Sequence, residues 1–222
     1  MSNYILKYGR DDRVKYISHL DFVRLFHRAV RRADLPFTFS QGFNPHPIMT
    51  VAQPLSVGVT SDCEYMSVGF EGEFSPKELT ERINSALPPG YFIFAAQKVQ
   101  SKKDIDLTKL DRAVYIVEIE CEGDIDIDAF MKNTSLTVMK KTKSGIKESD
   151  IRPYIYDINY IKKEDNIITL EMCIAVGGVY NLKCETVVDA MEKYTDGFKC
   201  IFMSVHRKSM RCGNIEYLLD VK

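Results

Sequence analysis

The sequence predicts an α+β fold built from two ferredoxin-like halves with antiparallel sheets, and three observations predict it. Residues 1–99 carry strand and helix signals in the order β-α-β-β-α-β, the plan in which two helices pack on one face of an antiparallel sheet. A second, modified cycle of the same kind begins at residue 113, after a polar stretch over residues 100–112 that reads as a linker. The chain has 222 residues, 45% of them apolar and 27% charged, which suits one large or two small domains with an ordinary core.

Taken in order, Tyr4 to Ile17 reads as extended, interrupted by a turn at Gly9-Arg10-Asp11-Asp12. Ser18 has the character of a helix N-cap, with Asp21 three residues on as a variant of the capping box. Leu20, Val23, Phe26, Val30 and Ala33 recur at helical spacing, and Leu35-Pro36 stops the helix. Phe37-Thr38-Phe39 starts a second strand that Gly42 to Pro47 interrupts and Ile48 to Leu55 resumes, and Tyr65 to Phe70 alternates as a third. Ser75-Pro76-Lys77-Glu78 joins an N-cap serine, a proline at the first helical position and a glutamate at the third, with Leu79, Ile83 and Ala86-Leu87 as the buried stripe. Pro88-Pro89-Gly90 ends this helix, and Tyr91 to Ala95 is a fourth strand. In the second half, Val114 to Cys121, Leu136 to Lys141, Tyr154 to Ile161, Ile167 to Val176 and Lys199 to His206 read as strands. Ile127 to Lys132 and Cys184 to Tyr194 read as helices. The half spanning 113–222 thus carries extra strands.

Composition excludes several function classes. Lys plus Arg is 30 against 31 for Asp plus Glu, so the chain as a whole does not attract nucleic acid. The balance is local: residues 1–40 hold eight Lys or Arg against four Asp or Glu, and residues 41–80 hold one against five. No run approaches the roughly 18 apolar residues of a membrane span, and the first residues carry no long apolar segment, so a cytoplasmic location is expected. The six cysteines, Cys63, Cys121, Cys173, Cys184, Cys200 and Cys212, form no CxxC pair and read as reduced, mostly buried thiols. There is no Walker loop, GxGxxG, GxSxG or HExxH.

Four constellations bear on chemistry. Arg24, Arg28, Arg31 and Arg32 fall together on the first helix opposite its apolar stripe, and their guanidinium forks suit phosphate oxygens. A solvated face of good helix formers is the competing reading. Ser18-His19-Leu20-Asp21 places His19 at the first helical position with Asp21 two residues on, an arrangement for catalysis or for plain capping. In Ser40-Gln41-Gly42-Phe43-Asn44-Pro45-His46-Pro47 two prolines stiffen the chain around His46, so that Gln41, Asn44 and His46 are held as ligand contacts or sit on a rigid bulge. His46 has the chemistry of a general base or of a nucleic-acid contact. Lys140, Lys141, Lys143, Lys147 and Arg152 make a basic loop fit to track a phosphate backbone, against the reading of a solvated hairpin. Asp150 and Arg152, two apart on a strand, are expected to share a face.

Several of these segments together carry a resemblance: Tyr16 to Asp21, Arg28 to Ala33, Leu35-Pro36, Gly42 to Pro47, Pro54 to Val59 and Lys147 to Pro153. The chain resembles, nearly throughout, the bacterial radical-SAM-linked family of unknown function, whose members are typically encoded beside or fused to a radical-SAM protein. The resemblance implies that protein as a partner, with the iron–sulfur cluster and S-adenosylmethionine carried by the partner and no cofactor in this chain. The spacing agrees, since the cluster needs three close cysteines in CxxxCxxC. One departure is Ile48, which stands where family members often have a lysine after the second proline, so no lysine contact to an anion is expected in that loop. Tandem ferredoxin-like halves with a histidine near the first helix also look, at the level of fold, like RAMP-type RNA-processing proteins.

Three readings follow. The leading one is an accessory protein that binds RNA, tRNA or rRNA, and acts with the radical-SAM enzyme in RNA modification. A second is a metal-independent RNA-processing enzyme using His19, Asp21 and His46, which requires the two histidines to converge. The third is a non-RNA docking scaffold for the radical-SAM partner.

Overall fold

A computed structural model describes residues 1–100, 107–142, 145–178 and 180–216. The chain divides into two compact units, one of Met1–Leu110 joined by residues from Asn214, the other of Asp111–Gly213. The fold is α+β, with antiparallel sheets in both units.

The first unit contains β1 (Ser2–Arg10), α1 (His19–Arg32), β2 (Met49–Val51), β3 (Thr60–Phe70), α2 (Pro76–Ala86) and β4 (Tyr91–Val99). Its strands lie in the order β4-β1-β3-β2, all antiparallel. Alternation on β1 turns Tyr4, Leu6 and Tyr8 toward the helices, where they join Phe22, Phe26, Val30, Leu79 and Ile83 in the core. Ser18 caps α1 by accepting from the Asp21 amide, and Ser75 caps α2 by accepting from the Glu78 amide, as the capping patterns predict.

Two readings of this unit need correction. The buried face of α1 is Phe22, Phe26, Ala29 and Val30, whereas Leu20 is exposed and Val23 and Ala33 are half-buried. The aromatic ring of Phe22 decides the rotation. It stacks on Tyr8 at 4.9 Å and meets Tyr91 at 5.1 Å, burying more apolar surface than Leu20 would. The second strand is also shorter than its apolar pattern. Only Met49–Val51 pairs with β3, and Phe37 and Phe39 make single bridges, to Phe70 and to Pro47. Prolines 45 and 47 have no amide to give a ladder.

The second unit contains β5 (Arg112–Glu122), α3 (Ile127–Met131), β6 (Thr137–Thr142), β7 (Gly145–Asp150), β8 (Ile155–Glu164), β9 (Ile167–Ala175), α4 (Cys184–Tyr194) and β10 (Lys199–Cys212). The strand order is β10-β5-β9-β8. Fourth, first, third, second is the order of the first unit too, once the β6–β7 hairpin is set aside as an insertion forming a sheet of its own. Asp150 and Arg152 do not share a strand face. Asp150 ends β7 and accepts from the Leu136 and Arg152 amides, while Arg152 sits in a 3-10 turn over Arg152–Tyr154. Within the first unit, Leu107–Lys109 is a short 3-10 turn with Leu107 and Leu110 buried, so this end of the polar stretch is anchored. No helix among the described residues is long and apolar enough to cross a membrane.

Candidate functional site

The expected site residues of the first unit lie on two structures joined at their base. On α1, Arg24, Arg28, Arg31 and Arg32 are all exposed. Arg24 pairs with Asp21 at 3.2 Å, and Arg32 donates to the Ala86 carbonyl at 2.6 Å. The side chains of Arg28 and Arg31 have no hydrogen bond or ion pair among the described residues, so two guanidinium groups face solvent with their donors free. Both lie toward the C-terminal half of the helix, where cations also suit the helix dipole.

The second structure is a hairpin-like loop. The Ser40 amide donates to the His46 carbonyl at 2.9 Å, and the Ile48 amide to the Thr38 carbonyl at 2.8 Å. Within it, the Ser40 hydroxyl accepts from the His46 amide at 3.1 Å and lies 2.9 Å from His46 Nδ1. Gln41, Asn44 and His46 are exposed, and Phe43 projects wholly into solvent at the tip. Gly42 takes φ +126°, which lets the tip turn where a side chain would be strained. The loop and the arginine face meet at His27. Its ring packs edge-on against Phe37, at the base of the loop, at 5.3 Å. Burial, and then the Arg31 charge, hold His27 below the ordinary histidine range.

His19 and Asp21 do not act on one another. Asp21 accepts from Ser18 Oγ at 2.7 Å and pairs with Arg24, while His19 has no partner among the described residues. His19 lines a small cavity with Arg10 and Tyr91, a set that does not include His46. Arg10 and Tyr91 were not singled out by the sequence patterns. The signal existed: Tyr4, Leu6, Tyr8 and Arg10 alternate, which places an arginine at the inner end of an apolar row. Arg10 is only 6% exposed, and one of its terminal nitrogens donates to the carbonyls of Val14, Lys15 and Ile17, shaping the turn that leads into Ser18-His19.

In the second unit the basic loop is only partly in view. Lys143 lies outside the described residues, as do the side chains of Lys140 and Lys141. Lys147 is exposed on β7. Arg152 spends its guanidinium internally, donating to the Asn133, Ile155 and Met131 carbonyls at 3.1, 3.0 and 2.9 Å, where it closes the end of α3. A cavity of about 530 Å³ lies beside α4, lined by Met139, Tyr180, Leu182, Lys183, Asp189 and Lys193 among others. Burial, then the charges of Glu192 and Glu185, push the Asp189 carboxyl above its ordinary range. Among the described residues no three of His, Cys, Asp and Glu are grouped to hold a metal ion.

Residues 3–184 match the family described as uncharacterized protein conserved in bacteria (DUF2344), and the chain belongs to that family. No curated protein is a significant match. A chain in the crystal structure of a Cbf5-Nop10-Gar1 complex is similar with a TM-score of 0.52 at 8% identity, over 93% of this chain and 48% of that chain. This chain therefore spans about half the length of that one, and at such identity the likeness is one of fold. A crystal structure of an unknown protein from Galdieria sulphuraria aligns over 93% of this chain and 98% of that one, with 13% identity and a TM-score of 0.26.

Proposed function

We propose that this member of the family is an RNA-binding accessory protein that acts with a radical-SAM enzyme in RNA modification. The observation that carries the reading is the face of α1, where Arg28 and Arg31 are exposed and hold no partner among the described residues. Arginines that stabilise a fold spend their donors on carboxylates or carbonyls, as Arg82 and Arg152 do here. A pair that spends none is suited to phosphate oxygens, which accept the guanidinium fork directly. The loop beside it adds a second recognition element. Phe43 stands exposed on a stiff tip next to Gln41 and Asn44, and an aromatic ring so held is a stacking surface for an unpaired base. The resemblance to the radical-SAM-linked family supplies the partner, which brings the cluster and S-adenosylmethionine, while this chain holds the RNA.

The test is a titration of single-stranded and tRNA probes against the full chain and the double variant Arg28→Ala/Arg31→Ala. Both side chains are exposed, so folding is expected to survive. Loss of two phosphate contacts lowers the slope of log affinity against log salt by roughly 1.4 for single-stranded RNA. Affinity and slope that match the wild type would sink the reading. Co-purification from the native host with the radical-SAM protein absent would sink its second half.

A further inference from the structure

We propose that the cavity under His19 is an oxyanion site, in which one oxygen of a phosphate or carboxylate group lies between Arg10 and Tyr91. The inference is independent of RNA binding by α1. It begins from two residues that are almost wholly buried and that each carry one unbonded polar atom. Arg10 is 6% exposed and Tyr91 5% exposed, and among the described residues neither Arg10 Nε nor the Tyr91 hydroxyl has a hydrogen-bond partner. Arg10 makes no ion pair among the described residues, since its bonds run to backbone carbonyls. A buried guanidinium cannot lose its charge, and buried charges are ordinarily paired. An orphaned N–H and an orphaned hydroxyl on two residues that line one cavity are met by the same thing, an acceptor oxygen, and the arginine charge favours that oxygen being anionic.

The local architecture holds both groups in place. Gly90, with φ +105°, leads the chain into Tyr91, and a Cβ there would lie 2.7 Å from Val14. The Asp11 amide donates to the Gly90 carbonyl at 3.0 Å, so the turn after Arg10 and the turn before Tyr91 are bonded together. The Tyr91 ring is packed by Phe22, and its hydroxyl has little freedom to swing toward water. The cavity is small, about 10 Å³, which is room for one oxygen and not for a whole ligand. Tyr8, Phe22 and Leu55 give it apolar walls, and His19, which also lines it, is exposed and has no partner among the described residues. Arg10 and Tyr91 also line a larger cavity of about 440 Å³. That cavity carries the carboxylates of Asp11 and Asp62, whereas the one under His19 is lined by no Asp or Glu, and this assigns the anion to the smaller.

The experiment is a titration of the full chain with sodium phosphate, sodium acetate and sodium chloride at matched ionic strength, followed by the imidazole resonances of the four histidines and by thermal unfolding. Phosphate or acetate is expected to move the His19 resonance saturably, to leave His46 in place, and to raise the unfolding temperature above that in chloride. The more effective anion identifies the source as a phosphoryl or a carboxylate group. Tyr91→Phe keeps the packed ring and removes only the hydroxyl. It is expected to fold and to weaken the anion by about tenfold or more. Equal effects of all three salts, or a His19 response unchanged in Tyr91→Phe, would overturn the proposal and leave the cavity to water. Because Arg28 and Arg31 take no part, failure here leaves the RNA reading standing, and failure of the RNA titration leaves this one.

Discussion

His27 shows how a single side chain can tie stability to pH. It sits on α1 between the arginine face and the loop carrying His46, with its Nε2 buried and without a hydrogen-bond partner among the described residues and its ring against Phe37. Burial and Arg31 lower its affinity for a proton in the folded chain. The unfolded ring binds a proton more tightly, so the folded state is favoured in full above the ordinary value of about 6.5 and loses that advantage as pH falls through it toward the lower folded value. Denaturant midpoints measured at pH 7.5 and pH 5.5 are expected to differ in the wild type, and His27→Phe is expected to narrow the difference. An equal loss in both proteins would mean that other groups set it. Arg10 and Tyr91 are the opposite case at this scale. Their significance lies in two atoms, Arg10 Nε and the Tyr91 hydroxyl, that are buried and make no hydrogen bond among the described residues.

At the scale of elements, α1 is held at both ends by side chains. Ser18 caps its start, accepting from the Asp21 amide and donating to Asp21 Oδ2. Its end is closed from α2, where Arg82 Nε and Nη2 donate to the Ala33 carbonyl at 3.0 and 2.8 Å, Nη2 also to Asp34 at 2.6 Å, and Nη1 to Glu78 at 3.0 Å. A single cap contributes about 1 kcal/mol. Bonds from a charged donor to otherwise orphaned carbonyls contribute more, about 2 kcal/mol. Urea unfolding of Ser18→Ala and Arg82→Ala is therefore expected to show the second as the larger loss, and the reverse order would refute the clamp. The serine was legible in the sequence because capping is a local rule. The arginine was not, because its acceptors lie 48 and 49 positions away. The rotation of α1 failed for the same reason: helical spacing admits Leu20 or Phe22 into the buried stripe, and only the rings of Tyr8 and Tyr91 choose between them.

Across the whole molecule the two units repeat one strand order, with the β6–β7 hairpin inserted in the second between α3 and β8. The cysteines report on how completely both units are folded. Cys63, Cys121, Cys173 and Cys184 are buried, Cys200 is half-buried and Cys212 is exposed, all as free thiols. Burial pushes the Cys184 thiol far above its ordinary range and raises Cys121, Cys173 and Cys200 as well. Titration with a thiol reagent under native conditions is expected to label one cysteine quickly, and Cys212→Ser to abolish that phase, whereas denaturant exposes the rest. Fast labelling of several thiols would show that the buried four are not protected. What the sequence by itself determined is whatever is written in local chemistry: the β-α-β-β-α-β order, the caps Ser18 and Ser75, the stop at Leu35-Pro36, and the helix over Cys184 to Tyr194. It also showed the arginine row, because side chains four apart on a helix share a face whatever packs beneath them. Tertiary structure alone decided which cations are free and which are spent. Arg28 and Arg152 look alike in sequence, yet one faces solvent and the other closes a helix. It alone also decided that Arg10 and Tyr91, 81 positions apart, line one cavity, with Arg10 Nε and the Tyr91 hydroxyl unbonded among the described residues, since hydrogen-bond satisfaction depends on neighbours that the chain brings together only when it folds.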